Sequence, residues 1–327
     1  MNGRVLATHS LPEPSLSTLE PDFAVRVLGF HPSEEQLAAE VADADALITL
    51  VTDPVTETVL QAGRQLKIVG QYGVGVDNID RAAAAARGIV VTNTPNALTD
   101  ATADLTLALL LALARRIVEG DRMVRTGRFS GWTPDLLLGS DLKGKVFGVL
   151  GPGRIGRAAT RRARAFGMTA IACGRSPRDE RDPDDPPRVS FEDLLRRSDV
   201  VSIHLPLNDE TRGLFDDETF AKMKPGSWLL NTSRGPIVSE AALARALATG
   251  QIGGAGLDVF ENEPAVHPEL LRSDRVVLMP HVGSATVETR REMARMVVED
   301  VRRVLSGEKP LRAVPPESSR ERLRAQL

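Results

Sequence analysis

Short runs of apolar and β-branched residues alternate with helical patterns through the first third of the chain. The runs include VLAT from Val5, ALITLV from Ala46, KIVGQ from Lys67 and GIVVTN from Gly88. Patterns such as SEEQLAAEVA and NIDRAAAAARG, with the period of a helix, separate them. Strands that alternate with helices favour a parallel sheet, because each helix returns the chain to the edge where the next strand begins.

A second series begins at Lys145. Its strand patterns are KVFGVLG, TAIACG, DVVSIHLP, SWLLNTS, GGAGLDVF and RVVLMPH, with helical patterns such as RIGRAATRRARAFG and SEAALARALATG between them. A chain of 327 residues is long enough for two cores. We therefore predict an α/β protein with two doubly wound, Rossmann-like parallel-sheet domains. One uninterrupted helix is predicted from Asp100 to Arg125, and another long helix from about Thr286 to Leu305.

Composition argues for a small-molecule ligand. The formal net charge of −3 offers no basic field for nucleic acid or an anionic membrane surface. The longest apolar stretch, Leu105 to Ala114, is shorter than the ~20 residues of a membrane span. The only cysteine, Cys173, excludes an internal disulfide and a cysteine-based zinc site. The N-terminal residues lack the apolar core of a secretory signal, so we expect a cytoplasmic protein with no metal site.

A glycine loop, GPGRIG, follows the strand pattern VFGVL and opens a helical pattern. In that context its glycines permit a tight turn, the close approach of a pyrophosphate, and the packing of helix on strand. They are Gly151, Gly153 and Gly156. Pro152 has no N–H, so the amides of Arg154 and Ile155 are the expected anion donors. The alternative is a glycine-rich turn without a ligand.

The end of the next strand pattern, MTAIACGRSP, bears on the choice of cofactor. An NAD site usually has an acidic residue there, which binds the ribose 2′-hydroxyl, whereas NADP sites place an arginine nearby. Here Gly174 occupies the acidic position and is followed by Arg175 and Ser176, which can bind a 2′-phosphate. We predict NADP(H) as the preferred cofactor, with NAD(H) possible if Arg175 merely begins a charged surface loop.

Three polar residues stand at predicted strand ends: Arg234 in NTSRGPIV, Glu263 in DVFENEP and His281 in MPHVGSAT. Ligands of open α/β sheets bind outside the carboxyl ends of the strands, so these side chains can converge on one cleft. Taken singly, each is more often a surface or structural residue than a functional one.

Together, these motifs resemble the D-isomer-specific 2-hydroxyacid dehydrogenase family, and most closely its glyoxylate and hydroxypyruvate reductase branch. The resemblance covers nearly the whole chain. It is carried by GVGVDNID from Gly73, NTPNALTDATADL from Asn93, LLLGSDLKGKVFGVLGPGRIG from Leu136, SIHLPLNDETRGLF, LLNTSRGPIVSEAAL, GGAGLDVFENEP and LMPHVGSAT.

The residue types suit hydride transfer to a small 2-keto acid. The planar fork of Arg234 can hold a carboxylate bidentately and polarise the adjacent carbonyl group. A protonated His281 can stabilise the negative charge that develops on the substrate oxygen and donate the proton. The carboxylate of Glu263 would orient the ring and favour its cationic form.

The resemblance implies further contacts. The backbone amides of Val74 and Gly75 would bind the substrate carboxylate. Trp132 resembles an aromatic residue that lines the substrate pocket, sometimes from the partner subunit, or it is an ordinary dimer-interface tryptophan. The implied cofactor contacts are Thr102, Leu205, Pro206, Thr211, Thr232, Ser233, Arg234, Asp258 (which would receive the nicotinamide carboxamide), His281 and Gly283.

The resemblance also implies how the chain is organised. A discontinuous, flavodoxin-like substrate domain, residues 1–98 and 286–327, would surround a nucleotide-binding Rossmann domain, residues 99–285, through which the protein would form a homodimer. A D-3-phosphoglycerate dehydrogenase is the main enzymatic alternative. The segment LITLVTDPVT from Leu47 argues against it, because it offers no Lys or Arg to a phosphorylated substrate. A nucleotide-sensing corepressor is the alternative without catalysis.

Overall fold

The computed structural model describes residues 3–175, 182 and 184–316, so the predicted cofactor contact at Ser176 lies outside the described residues. The strands are β1 (Arg4–Ala7), β2 (Ala24–Val27), β3 (Ala46–Leu50), β4 (Ile68–Tyr72), β5 (Val90–Thr92), β6 (Val146–Leu150), β7 (Thr169–Cys173), β8 (Val200–Ile203), β9 (Ser227–Asn231), β10 (Ile252–Leu257) and β11 (Val276–Leu278). The helices are α1 (Glu34–Glu40), α2 (Glu57–Ala62), α3 (Arg81–Ala86), α4 (Thr99–Arg115), α5 (Ile117–Arg125), α6 (Arg154–Ala165), α7 (Phe191–Arg197), α8 (Asp217–Lys222), α9 (Glu240–Thr249), α10 (Pro268–Arg272) and α11 (Val287–Leu305).

The described residues form two compact units. The first contains the residues up to Leu98 together with those from Ser284 onward, and the second contains Thr99–Gly283. Each unit has one sheet, and every pairing between named strands is parallel. The predicted α/β fold class with two parallel sheets is therefore confirmed.

The sheet of the first unit has the strand order β2-β1-β3-β4-β5, which is the flavodoxin order. Both faces are covered by apolar cores. On one face, α11 packs so closely on β4 that a Cβ atom at Gly70 would lie 3.0 Å from Cγ1 of Val297. The other face buries Leu37 of α1 and Leu60 of α2. Burial on both faces explains why the inner strands β1, β3 and β4 are largely apolar.

The sheet of the second unit has the order β11-β10-β9-β8-β6-β7. An isolated parallel bridge pairs Arg188 with Ala172 of β7. Arg188 thus lies where the Rossmann order has a further strand, at the edge of the sheet beside β7. Helices α4 and α6 cover one face of the sheet, and α7, α8 and α9 cover the other. The order reverses beside β6, so the loop after β6 lies at the topological switch point, where such sheets bind their ligands.

The prediction of a single helix from Asp100 to Arg125 is wrong, because the chain forms two helices, α4 and α5, that are separated by Arg116. This residue has left-handed backbone angles, with φ +51°. The carbonyl group of Ala114 accepts a hydrogen bond from the amide of Ser140 at 2.8 Å. In a continuous helix, this carbonyl group would instead accept the amide four residues later in the chain. A partner distant in sequence thus ends α4. The helix predicted from Thr286 to Leu305 is confirmed, with Thr286 as its N-cap.

None of the helices in the described ranges combines the length and the apolar character needed to cross a membrane.

Candidate active site

The predicted catalytic residues of the second unit lie beyond the carboxyl ends of its strands. Arg234 follows β9, Glu263 follows β10 and His281 follows β11. Since the strands are parallel, these ends share one edge of the sheet, where the glycine loop after β6 also lies.

Glu263 and His281 form a direct pair. The Nδ1 atom of His281 lies 2.8 Å from Oε2 of Glu263, and both side chains are partly buried. An ionised carboxylate only accepts hydrogen bonds, so the ring presents its Nδ1–H group to Glu263. The Nε2 atom is then the ring nitrogen that can exchange a proton with a substrate. This geometry suits the predicted orienting role of Glu263.

The surroundings of Glu263 favour its ionised form. Burial by itself would raise the pKa of Glu263. The hydrogen bond and charge of His281, the amide of Phe260 and the charge of Arg234 outweigh it, and the pKa is lowered. The Oε1 atom of Glu263 accepts the Phe260 amide at 3.0 Å. A negative charge therefore stays beside the imidazole ring near neutral pH.

The backbone at His281 is unusual. This residue has φ +53°, which side chains with a Cβ atom seldom adopt. Its amide donates to the carbonyl groups of Asp258 (2.8 Å) and Met279 (3.1 Å), and these bonds hold the conformation. The next two amides, of Val282 and Gly283, donate to the carboxylate of Asp258 at 2.8 Å each. The turn that carries the imidazole is therefore anchored on Asp258.

Arg234 is positioned by a buried residue of its own motif. The side chain of Asn231 donates to the carbonyl group of Arg234 at 2.9 Å and accepts the amide of Ser233 at 3.1 Å. One guanidinium nitrogen of Arg234, Nη1, donates to the carbonyl group of Ser233 at 2.9 Å. Its charge also lowers the pKa of Glu263. Arg234 therefore belongs to the same cluster as the carboxylate–histidine pair.

The glycine loop has the shape that a pyrophosphate requires. Gly151 has φ +92°, and a Cβ atom there would lie 2.6 Å from the carbonyl oxygen of His204. A Cβ atom at Gly156 would lie 2.5 Å from the carbonyl oxygen of Gly151, so the first turn of α6 packs directly on the loop. A Cβ atom at Gly153, by contrast, would meet nothing within 4 Å. The helix N-terminus, with the amides of Arg154 and Ile155, therefore faces open space suited to an anion.

Two of the predicted cofactor contacts, Thr102 and Gly283, lie beside a third, Asp258. The hydroxyl group of Thr102 donates to the carbonyl group of Gly283 at 3.1 Å, and Gly283 in turn donates to Asp258. Burial raises the pKa of Asp258, although the amides of Val282 and Gly283 and the charge of His281 act in the opposite direction. Each carboxylate oxygen retains a second lone pair for a ligand amide.

Five more of the predicted cofactor contacts make hydrogen bonds within the protein, and these are Leu205, Pro206, Thr211, Thr232 and Ser233. The hydroxyl group of Ser233 donates to the carbonyl group of Leu205, and Thr232 bonds to Thr106 at 2.9 Å. Thr211 is buried and donates to the carbonyl group of Pro206 at 2.8 Å. Arg175 is exposed directly after β7. Trp132 is 79% exposed.

In the first unit, two amide side chains hold the loop that contains Val74 and Gly75. Gln71 is buried and donates to the carbonyl group of Gly75 at 3.0 Å, and Asn93 donates to that of Val74 at 2.8 Å. Within the part of the chain that the structure describes, the amides of Val74 and Gly75 make no hydrogen bond. Sequence reasoning missed Gln71, Asn93 and Asn231 as supports, because an amide side chain within an apolar strand pattern carries no signal of its partner.

The Rossmann sheet, the glycine loop and the arginine beside a carboxylate–histidine pair define an oxidoreductase of the pyridine-nucleotide-dependent class. Residues 107–283 match the NAD binding domain of D-isomer specific 2-hydroxyacid dehydrogenases. The chain is 45% identical to a glyoxylate reductase of Thermococcus litoralis, over 95% of this chain and 96% of that one.

Two solved structures have the same fold as this chain. A protein of Thermus thermophilus superposes with a TM-score of 0.90, at 45% identity over 95% of this chain and all of that one. An NADPH-dependent glyoxylate/hydroxypyruvate reductase of Sinorhizobium meliloti, solved with NADP and malonate, superposes with a TM-score of 0.87, at 33% identity over 97% of this chain and 98% of that one. The protein belongs to the D-isomer-specific 2-hydroxyacid dehydrogenase family, in its glyoxylate reductase branch, and transfers hydride between NAD(P)H and a 2-keto acid.

Proposed function

We propose that the protein reduces glyoxylate or hydroxypyruvate with NADPH as the preferred hydride donor. The observation that carries the proposal is the 2.8 Å contact between His281 Nδ1 and Glu263 Oε2, in one cluster with Arg234. The relatives that are named as glyoxylate reductases support the choice of substrate.

The chain's own residues would bind the substrate and move one proton. Arg234 and the amides of Val74 and Gly75 bind the carboxylate, and Arg234 also polarises the keto group. Bound NADPH supplies the hydride that adds to the keto carbon. His281 gives its Nε2 proton to the oxygen as the carbonyl double bond becomes a single bond, and solvent then restores that proton. Glu263 stabilises the imidazolium and orients the ring without reacting.

The substrate is expected to be small and without a phosphate group. The segment that follows β3 in the first unit, within LITLVTDPVT, contains no lysine or arginine that could pair with a phosphate. This feature favours glyoxylate and hydroxypyruvate over a phosphorylated keto acid.

The cofactor proposal depends on the residues around the glycine loop. The open space at Gly153 and the helix N-terminus behind it fit a pyrophosphate, and Asp258, Thr102 and Gly283 fit the carboxamide end. Gly174 leaves no acidic side chain at the end of β7, and the exposed Arg175 supplies a cation for the 2′-phosphate. Ser176 would contribute its hydroxyl group.

We further propose a homodimer formed by the nucleotide-binding domain. The exposed apolar arm, which we define as residues 117–138, presents large apolar side chains to solvent, and α5 buries none of its residues. Several large apolar side chains exposed within one short segment support an interface there. Its exposed members are Ile117, Val118, Val124, Phe129, Trp132 and Leu138. Trp132 would pack at the interface or reach the partner's substrate pocket.

The two compact units support the proposed division into a substrate domain, residues 1–98 with 286–327, and a nucleotide-binding domain, residues 99–285.

The decisive experiment compares initial rates with NADPH and NADH on glyoxylate, hydroxypyruvate, pyruvate and phosphohydroxypyruvate. Rapid NADPH-dependent reduction of the first two acids supports the proposal, whereas activity confined to the phosphorylated acid rejects it. Arg175→Ala should weaken NADPH binding by roughly tenfold or more and leave NADH binding unchanged, since a charged hydrogen bond contributes that much. Cofactor binding without turnover of any acid would favour a nucleotide-sensing role.

A further inference from the structure

Glu240 is a buried carboxylate that the proposed chemistry does not use. It is the first residue of α9, after the N-cap Ser239, and it is only 5% exposed. An acidic residue in the first turn of a helix is ordinarily exposed and interacts with the helix dipole. A buried carboxylate must instead be satisfied by specific hydrogen bonds.

Both oxygens of Glu240 accept hydrogen bonds from the loop that carries Glu263. The Oε1 atom accepts the amide of Glu261 at 2.7 Å, and the Oε2 atom accepts the amide of His267 at 2.6 Å. These two residues lie on either side of Glu263 in the chain. One carboxylate therefore ties down the loop before and after the residue that contacts His281.

Two further contacts make this arrangement rigid. The amide of Glu240 donates to Oε2 of Glu261 at 3.0 Å, so the two residues exchange backbone and side-chain hydrogen bonds. A Cβ atom at Gly235 would lie 1.7 Å from the carbonyl oxygen of Phe260, so the segment before α9 lies directly against the start of the loop. The loop has little freedom to move while Glu240 holds it.

We infer that Glu240 is a positioning residue for the Glu263–His281 pair. By anchoring residues 261 and 267, it holds the Glu263 carboxylate at Nδ1 of His281, where the negative charge favours the imidazolium. The inference rests on the proposed function in so far as His281 is the proton donor. Among the described residues, charged groups that interact with this pair include Asp258 and Arg234.

Glu240→Gln tests the inference with little change in volume. The amide group of glutamine can accept only one of the two backbone hydrogen bonds, because its nitrogen faces the other donor. We expect kcat to fall roughly tenfold to a hundredfold, as for a displaced catalytic group, while the KM for NADPH stays unchanged. The alkaline limb of the pH–rate profile should move to lower pH, because the imidazolium is less favoured. Glu240→Ala should have the larger effect.

Glu261→Ala is the matched control. Glu261 is exposed, and within the described ranges its side chain accepts one hydrogen bond, from the amide of Glu240. The variant loses this bond, while the two backbone amides that Glu240 binds remain in place. It should lower the Tm without changing the pH–rate profile. If Glu240→Gln behaves in the same way, then Glu240 is merely structural and the inference is wrong.

A second readout does not depend on turnover. The ring titration of His281 can be followed by NMR, since the chain has five histidines and His281→Gln identifies its signal. Glu240→Gln should reduce the proton affinity of the ring by roughly three- to tenfold, and Glu261→Ala should not. A wild-type enzyme that reduces no keto acid would reject the proposed function, yet this titration would still decide the role of Glu240. An unchanged midpoint in Glu240→Gln would overturn it.

Discussion

A Cβ atom at Gly174 would lie 2.5 Å from Cδ of Pro152. Gly174 follows β7, at the position where NAD-specific sites usually place an acidic side chain, and Pro152 is the second residue of the glycine loop. The proline ring therefore excludes any side chain at position 174. Two motifs that are separate in sequence act together, and the absence of an acid at this site is enforced by packing.

Exchanging the glycine alone should therefore fail to create an NAD site. We expect Gly174→Asp to weaken the binding of both NADPH and NADH, because the new side chain displaces the loop. Adding Pro152→Ala should clear the space and tighten NADH binding by roughly tenfold relative to Gly174→Asp, the gain expected from a charged hydrogen bond. Nucleotide titrations would measure these constants, with Pro152→Ala as the control. Tighter NADH binding by Gly174→Asp alone would contradict the steric argument.

Removing the proton donor should affect chemistry and not cofactor binding. We expect His281→Gln to lower kcat by roughly a hundredfold to ten-thousandfold, the range for a lost general acid, with the Kd for NADPH unchanged. His31→Gln, at an exposed histidine of the first unit, is the control and should retain full activity. Equal losses of kcat and of NADPH affinity would argue against the acid role.

Replacing the planar guanidinium group of Arg234 by an ammonium group should weaken use of the substrate. Arg234→Lys keeps the charge but loses bidentate geometry, so we expect kcat/KM for the keto acid to fall by roughly tenfold or more. Binding of NADPH, measured by fluorescence titration, should change little. Arg212→Lys, at an exposed arginine of the same unit, provides the comparison. Unchanged kinetics in Arg234→Lys would remove this residue from the substrate site.

The Glu263–His281 pair should make stability depend on pH in the acid range. The pKa of Glu263 is lowered in the folded protein. Its ionised form therefore stabilises the fold at pH values above the ordinary pKa of a glutamate side chain. That contribution is lost as pH falls through the folded-state pKa. We expect Glu263→Gln to lower the Tm at pH 7 and the two proteins to converge between about pH 5 and pH 3. A difference in Tm that is constant with pH would mean that the carboxylate charge contributes nothing.

The exposed apolar arm should determine the oligomeric state. Val124 is 64% exposed, and Val124→Lys should convert the proposed dimer largely to monomer at micromolar concentration, as measured by sedimentation velocity. Leu311→Lys is a matched control in the first unit, at a leucine that is 55% exposed, and should leave the dimer intact. A wild-type protein that sediments as a monomer would reject the dimer proposal directly.

Local patterns predicted most of the secondary structure but not its interruptions. The strands around Val5, Ala46 and Lys67 were evident because a strand buried on both faces reads as a continuous apolar run. The sequence around Arg116 does not indicate a helix end, because neither glycine nor proline lies at the break between α4 and α5. That break depends on the amide of Ser140, which donates a hydrogen bond to the carbonyl group of Ala114.

Residue types and local spacing were enough to predict the alternation of strands and helices, the glycine loop and the positions of Arg234, Glu263 and His281 at strand ends, whereas the order of their motifs was evident only from the family resemblance. The folded chain was needed to reveal that Glu240 anchors the loop of Glu263 and that Pro152 excludes a side chain at Gly174. The difference arises because a hydrogen bond or a steric contact involves two groups. Here the two groups lie about twenty residues or more apart in the chain, so a local pattern contains only one of them.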